Sequence, residues 1–132
     1  MIEIIARKTF LKAVKQLKKR YPNISKDIVE LSAILYENPK YGTDLGDGFY
    51  KIRMAISDTQ KGKSSGARVI TYFVAESDLP LITLLFIYDK SEISNVSKKE
   101  LQVLLEYEWY KKYFFAVASN LLLYLWAYRP FV

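Results

Sequence analysis

Lys51 and Arg53 lie two residues apart in a stretch where Tyr50, Ile52, Met54 and Ile56 alternate with Lys51, Arg53, Ala55 and Ser57. A period of two is that of a strand with one buried and one open face, so the two cations are expected to point the same way. The polar Ser57 to Gly66 segment reads as a mobile hairpin loop, and Arg68 to Ala75 as the returning strand. Between Tyr50 and Tyr72 the chain carries Lys51, Arg53, Lys61, Lys63 and Arg68 against Asp58 alone, which predicts a positive, concave surface. Such a surface suits phosphodiester chemistry. Cleaving RNA through its own 2′-hydroxyl requires proton removal, charge stabilisation on the phosphorane and protonation of the leaving oxygen, and fixed cations supply much of that. The plainer reading, a solvated strand face, is favoured for Lys51 and Arg53 taken alone.

Composition removes competing chemistries. The chain has no histidine and no cysteine, which excludes disulfides, thiolate nucleophiles, Cys/His zinc sites and imidazole bases. Neither cofactor nor metal is implied. Gly62, Lys63 and Ser64 resemble the end of a phosphate-binding loop, but Ser57 stands where that motif needs glycine and a strand follows instead of a helix. The net charge of +6 suits a polyanionic partner, and also plain solubility.

At 132 residues the chain can fill one core. Glu3 to Ala6 reads as a short strand, with no secretory leader ahead of Arg7, so a cytoplasmic location is expected. Thr9 is the expected cap of a first helix whose apolar positions are Phe10, Ala13, Val14 and Leu17. From Arg7 to Arg20 that helix has seven cations and no acid, a stripe read first as a solvated face and second as a phosphate contact. Ser25 is the expected cap of a second helix, through Ile28, Leu31, Ile34 and Leu35, stopped by Pro39. Gly42 to Gly48 reads as a turn, and Pro80 to Asp89 as an apolar, buried third strand of an antiparallel sheet. Ser97 and Glu100 form a capping box for a helix from Lys98 carrying Leu101, Leu104 and Leu105. The expected class is α+β: a short strand and a helical hairpin packed on a small antiparallel sheet, with a hydrophobic C-terminal helix.

Three fragments carry a resemblance: Tyr50 to Met54, Gly66 to Tyr72, and Phe86 to Glu92, in that order after a helical hairpin. They look like the RelE/ParE/HigB toxin superfamily, over about residues 9–105. The resemblance implies a type II toxin, neutralised by a cognate antitoxin of helix-turn-helix type, that cuts mRNA on the ribosome. Carried over by position, Lys51 and Arg53 match the paired basic residues of the catalytic strand, and Arg68 the phosphate-stabilising arginine. Lys90 falls beside a further family arginine, whose own place is taken by Ser91, and Ser91 to Val96 lacks the family's C-terminal tyrosine. The implied catalytic set is Lys51, Arg53, Arg68 and Lys90, with Lys61, Lys63, Tyr72 and Tyr88 along the RNA. For Tyr72 and Tyr88 the plainer reading is core packing with the hydroxyl at the rim. Two other functions share the fold: a ParE-like gyrase poison, and an inactive remnant that binds antitoxin or RNA.

Residues 1–106 are expected to form the toxin domain, and 107–132 a hydrophobic aromatic extension of its last helix. Tyr113 to Tyr128 is an uncharged run of 16 residues, short of the roughly 20 a bilayer requires. Packing or self-association is the reading taken, with membrane contact, occupation of the antitoxin groove and an altered reading frame as alternatives.

Overall fold

The alternating apolar positions of three consecutive segments, together with one short N-terminal strand, generate the framework on which all the candidate residues stand. The computed structural model describes residues 2–75 and 80–106. In chain order the elements are β1 (Glu3–Ala6), α1 (Lys8–Lys18), α2 (Ile24–Glu37), β2 (Thr43–Gly46), β3 (Phe49–Met54), β4 (Ala67–Phe73) and β5 (Leu81–Asp89). Helix α3 follows over 98–106. Among the described residues the strands form one five-stranded sheet in the order β1-β5-β4-β3-β2. The pairs β2–β3, β3–β4 and β4–β5 are antiparallel, whereas β1 lies parallel to β5, Glu3 opposite Leu81. The α+β class is as expected; the parallel edge makes the sheet mixed.

One face of the sheet and the helical hairpin share a core. It contains Phe10 and Leu17 of α1, Ile24, Leu31 and Leu35 of α2, Tyr50, Ile52 and Met54 of β3, Val69 and Phe73 of β4, and Ile82, Leu84 and Ile87 of β5. Ile34, expected in the apolar face of α2, is 41% exposed instead.

Four local expectations are corrected. Thr9 does not cap α1: Arg7 holds the N-cap position, and the Thr9 hydroxyl donates to the Leu85 carbonyl at 2.7 Å. Leu85 is the extra residue where the β4–β5 register shifts between Ile70 and Thr71, so the hydroxyl takes up a carbonyl at an irregular point of the ladder. Ser25 does not cap α2; Asn23 does so by position, while its side-chain amide donates to Asp58 Oδ1 at 2.7 Å. The Gly42 to Gly48 segment is more than a turn, because Thr43–Gly46 pairs with β3. Asp47 and Gly48 both have positive φ, 55° and 89°, and form the two-residue turn that aligns Gly46 with Phe49. The loop between β3 and β4 is also not free, as its contacts below show.

The sheet and the first two helices form one compact unit; α3 belongs to a second and is described by itself. Its start matches the sequence expectation, with Ser97 Oγ accepting the Glu100 N–H at 3.2 Å. Residues 107–132, and with them the expected hydrophobic extension, lie outside the described residues. Among the described residues no helix is long and apolar enough to cross a membrane.

Candidate functional site

Side chains directly opposite in a sheet share a face, and the register places Arg53 opposite Arg68 and Arg68 opposite Tyr88. Arg53, Arg68 and Tyr88 therefore form one row across β3, β4 and β5. Lys51 stands two residues from Arg53 on the same face, opposite Ile70, which is opposite Phe86. The rows differ in access. Arg53 is exposed and Lys51 half-buried, while Arg68 and Tyr88 are only 4% and 3% exposed. Tyr72, half-buried on this face, packs its ring against Phe49 with centroids 5.3 Å apart.

Two cations directly opposite on one face repel by roughly 0.2–1 kcal/mol, and among the described residues no carboxylate forms an ion pair with either Arg53 or Arg68. Carbonyl oxygens hold Arg68 instead. Its guanidinium donates to Lys63 O at 2.9 Å, Ala67 O at 3.2 Å and Ser64 O at 2.8 Å. Lys90 Nζ donates to the same Ser64 carbonyl at 3.2 Å, so Arg68 and Lys90 converge on one short turn, Lys63–Ser65.

That turn belongs to the loop expected to be mobile, and the loop is fastened at both ends. The Ser57 N–H donates to Asp27 Oδ2 at 3.1 Å, and Asp58 Oδ2 accepts the Asn23 N–H at 2.9 Å. Lys63 Nζ reaches the Tyr41 hydroxyl at 3.3 Å. Gly66 closes the loop against β3, where a Cβ would collide with the Met54 carbonyl. Lys61, Lys63 and Lys90 are exposed. The polar composition that suggested mobility thus supplies the hydrogen bonds that pin the loop.

Burial raises the Tyr88 hydroxyl above the ordinary tyrosine value, against the smaller lowering effect of the Arg68 charge. At neutral pH Tyr88 is a proton donor, not a base.

A second polar cluster stands at the end of β5, and sequence reasoning missed it. Asp89 is 3% exposed. Tyr21 OH donates to its Oδ2 at 2.7 Å, and the Ser91 N–H and hydroxyl donate to its Oδ1 at 2.9 and 2.8 Å. Arg20, stacked 5.1 Å over the Tyr21 ring, lies 3.5 Å from Asp89 and also pairs with Glu92. Burial alone would raise the Asp89 carboxyl, but the Tyr21 and Ser91 hydrogen bonds and the Arg20 charge outweigh it, so its pKa sits below the usual carboxylate range. The Tyr21 hydroxyl is raised, first by its bond to Asp89 and then by burial. The only sequence signal was an acid ending an otherwise apolar strand. Its partner on the α1–α2 link is 68 residues away and carries no pattern. Ser91 is committed to Asp89 through both its N–H and its hydroxyl.

The fold and this face define a small basic α+β protein with a cation-lined sheet suited to a polyanionic ligand. The family model described as RelE toxin of RelE / RelB toxin-antitoxin system matches residues 3–125, and the chain belongs to that family. It is thus a toxin of a toxin-antitoxin system, whose members pair with an antitoxin. The match continues past Leu105, where the resemblance read from the sequence stops. A search of curated proteins finds no match.

Proposed function

We propose that this toxin is a ribosome-dependent mRNA endonuclease of RelE or HigB type, acting in the cytoplasm and restrained by a helix-turn-helix antitoxin. The observation that carries the reading is the row Arg53–Arg68–Tyr88, in which two unneutralised guanidinium groups face each other beside Lys51. Their mutual repulsion is relieved when an anion sits between or above them. In the proposed reaction the ribose 2′-oxygen attacks the adjacent phosphorus, the P–O5′ bond breaks, and a 2′,3′-cyclic phosphate and a 5′-hydroxyl result.

Lys51 and Arg53, the accessible members, hold the scissile phosphate and move protons. Arg68, fixed by main-chain carbonyls, adds a preorganised charge for the phosphorane, which needs no reorganisation during the reaction. Lys90 supports the same turn, and Lys61 and Lys63 extend the positive track along the RNA. Tyr72 and Tyr88 line its aromatic edge, with Tyr88 available as a proton donor.

The test is induction in bacteria followed by primer-extension mapping of mRNA 5′ ends. Arg53→Ala is a better variant than Arg68→Ala, because Arg53 is exposed whereas Arg68 holds the loop. Codon-phased cuts that fall by roughly a hundredfold in Arg53→Ala are expected, the scale of losing one charge-stabilising donor. Growth arrest with DNA damage and intact mRNA would replace this reading with a gyrase poison. Absence of any growth effect would leave a remnant that only binds.

A further inference from the structure

Among the described residues β1 and β2 are the two edges of the sheet, each with main-chain groups turned away from it, and they are guarded differently. Along β2 the register shifts beside Asp44, whereas β1 carries Glu3 as its one charge, followed by Ile4, Ile5 and Ala6. The Glu3 N–H donates to the Pro80 carbonyl and the Arg7 N–H to that of Leu84, so the odd-numbered residues bond inward to β5. Strand groups alternate in direction, and the N–H and C=O of Ile4 and Ala6 therefore point out of the sheet. Ile5 is 39% exposed. Helix α2 packs against β1 while α1 lies against β5, so α2 is the helix at this border. Its Val29, Ala33 and Tyr36 have the spacing of one helical face and form an exposed apolar stripe, Val29 and Tyr36 at 68% and 54%. Tyr36 meets Ile2, Glu3, Ile4 and Ile5 along an open groove beside the strand.

We infer that a second copy of this chain docks at the border, β1 against β1 in antiparallel register, about a two-fold axis normal to the sheet. The strand is its own complement. An axis of that orientation keeps the helical faces of both copies on one side, and the outward-pointing residues Ile4 and Ala6 must pair with outward-pointing residues. Registers centred on Ile4 or on Ile5 satisfy that rule. Charge and apolar contact favour the second: Ile4 bonds with the partner's Ala6, Ile5 meets the partner's Ile5, and Glu3 stands opposite the partner's Arg7. Glu3 and Ile5 then fall at non-hydrogen-bonded positions, where side chains approach most closely. Arg7, at the N-cap of α1, still has extended backbone, so the ladder reaches it. The same axis sets α2 antiparallel to its counterpart, and the small Ala33 in the middle of the stripe lets the two helices approach. A strand from another protein could use the same main-chain groups, but Glu3, Ile5, Arg7 and the α2 stripe match without any sequence beyond this chain's own. The cations of β3 and β4 stand further into the sheet, away from this border, and the pairing is independent of the nuclease reading.

The test is sedimentation velocity on the full chain, from low micromolar to several hundred micromolar concentration. The wild type is expected to pass reversibly from the mass of one chain to that of two. Glu3→Arg and Arg7→Glu each set like charges opposite one another on both sides of the axis, and each is expected to weaken the homodimer about tenfold or more. An equimolar mixture of the two variants restores both opposite-charge pairs and is expected to dimerise like the wild type. Ile5→Lys, at an exposed position, is expected to leave only monomer, with the thermal midpoint confirming the fold. In hydrogen exchange the Ile4 and Ala6 amides are expected to gain protection as concentration rises, while those of Glu3 and Arg7, already bonded to β5, change little. Arg7 is half-buried, so if Arg7→Glu lowers the thermal midpoint, Ile5→Lys and the two outward amides decide the matter alone. A one-chain mass at every concentration overturns the pairing. So does a dimer indifferent to Ile5→Lys, which would join through another surface, and so does a mixture of two folded charge variants that fails to recover.

Discussion

Asp89 shows how a single buried carboxylate can couple two parts of the chain that are distant in sequence. Its lowered pKa means that the charged form is stabilised on folding. That contribution is present above the unfolded value near 4 and is lost as pH falls through the folded value. Tyr21 runs the other way: with its pKa raised, the hydroxyl bond to Asp89 is present below pH ~10 and is lost as pH rises through the folded value. Tyr21→Phe is expected to destabilise the protein by about 1 kcal/mol at pH 7, the scale of one hydrogen bond. Asp89→Asn is expected to cost more at pH 7 and to flatten the loss of stability expected of the wild type below about pH 5, read from urea midpoints down to pH 3. An unchanged acid profile in Asp89→Asn would show that other carboxylates dominate. At the same scale, Arg53→Ala is expected to leave the unfolding free energy from urea titration within about 0.5 kcal/mol of wild type while lowering the proposed cleavage roughly a hundredfold, because an exposed cation facing another contributes little to folding.

Among the elements, the loop between β3 and β4 depends most on one small residue. Gly66 has no room for a Cβ beside the Met54 carbonyl, and it precedes the strand that carries Arg68. Gly66→Ala is expected to push the Lys63–Ser65 turn off Arg68 and lower stability by roughly 1–3 kcal/mol, with protection of the Gly66 and Lys90 amides lost in hydrogen exchange. Retained protection of both amides would refute that arrangement. The elements themselves were legible where pattern is local. The alternation in β3, the apolar run of β5, the short β1 and the Ser97 start of α3 all follow from period and caps. Strand β2 was not, since Asp44 and Gly46 are poor strand formers, and the segment is held by pairing to β3 and by the Asp47–Gly48 turn. The caps at Thr9 and Ser25 failed for a similar reason: Thr9 found a better acceptor across the fold at Leu85. Of the candidate site, the sequence shows the shared face of Lys51 and Arg53. Burial of Arg68 and Tyr88 depends on long-range packing, which no local pattern records.

Across the whole molecule, charge is distributed unevenly. Lys12, Lys15 and Lys18 on α1 and Lys19 at its C-cap are exposed, and among the described residues no carboxylate pairs with them. Binding to non-specific RNA is therefore expected to weaken steeply with salt. Replacing these four lysines with glutamine should reduce the slope of log K against log salt by up to about 3, at roughly 0.7 per phosphate contact on a single strand. An unaltered slope would confine RNA contact to the sheet face. The parallel pairing of β1 with β5 has a consequence of another kind. Glu3 through Ala6 are synthesised well before their partners, Leu81 through Leu84, which belong to the last strand of the sheet. The sheet cannot close before β5 has been made, and β1 waits as an unpaired edge until it arrives. The sheet of this toxin is thereby completed only when a segment almost eighty residues further along the chain has been made.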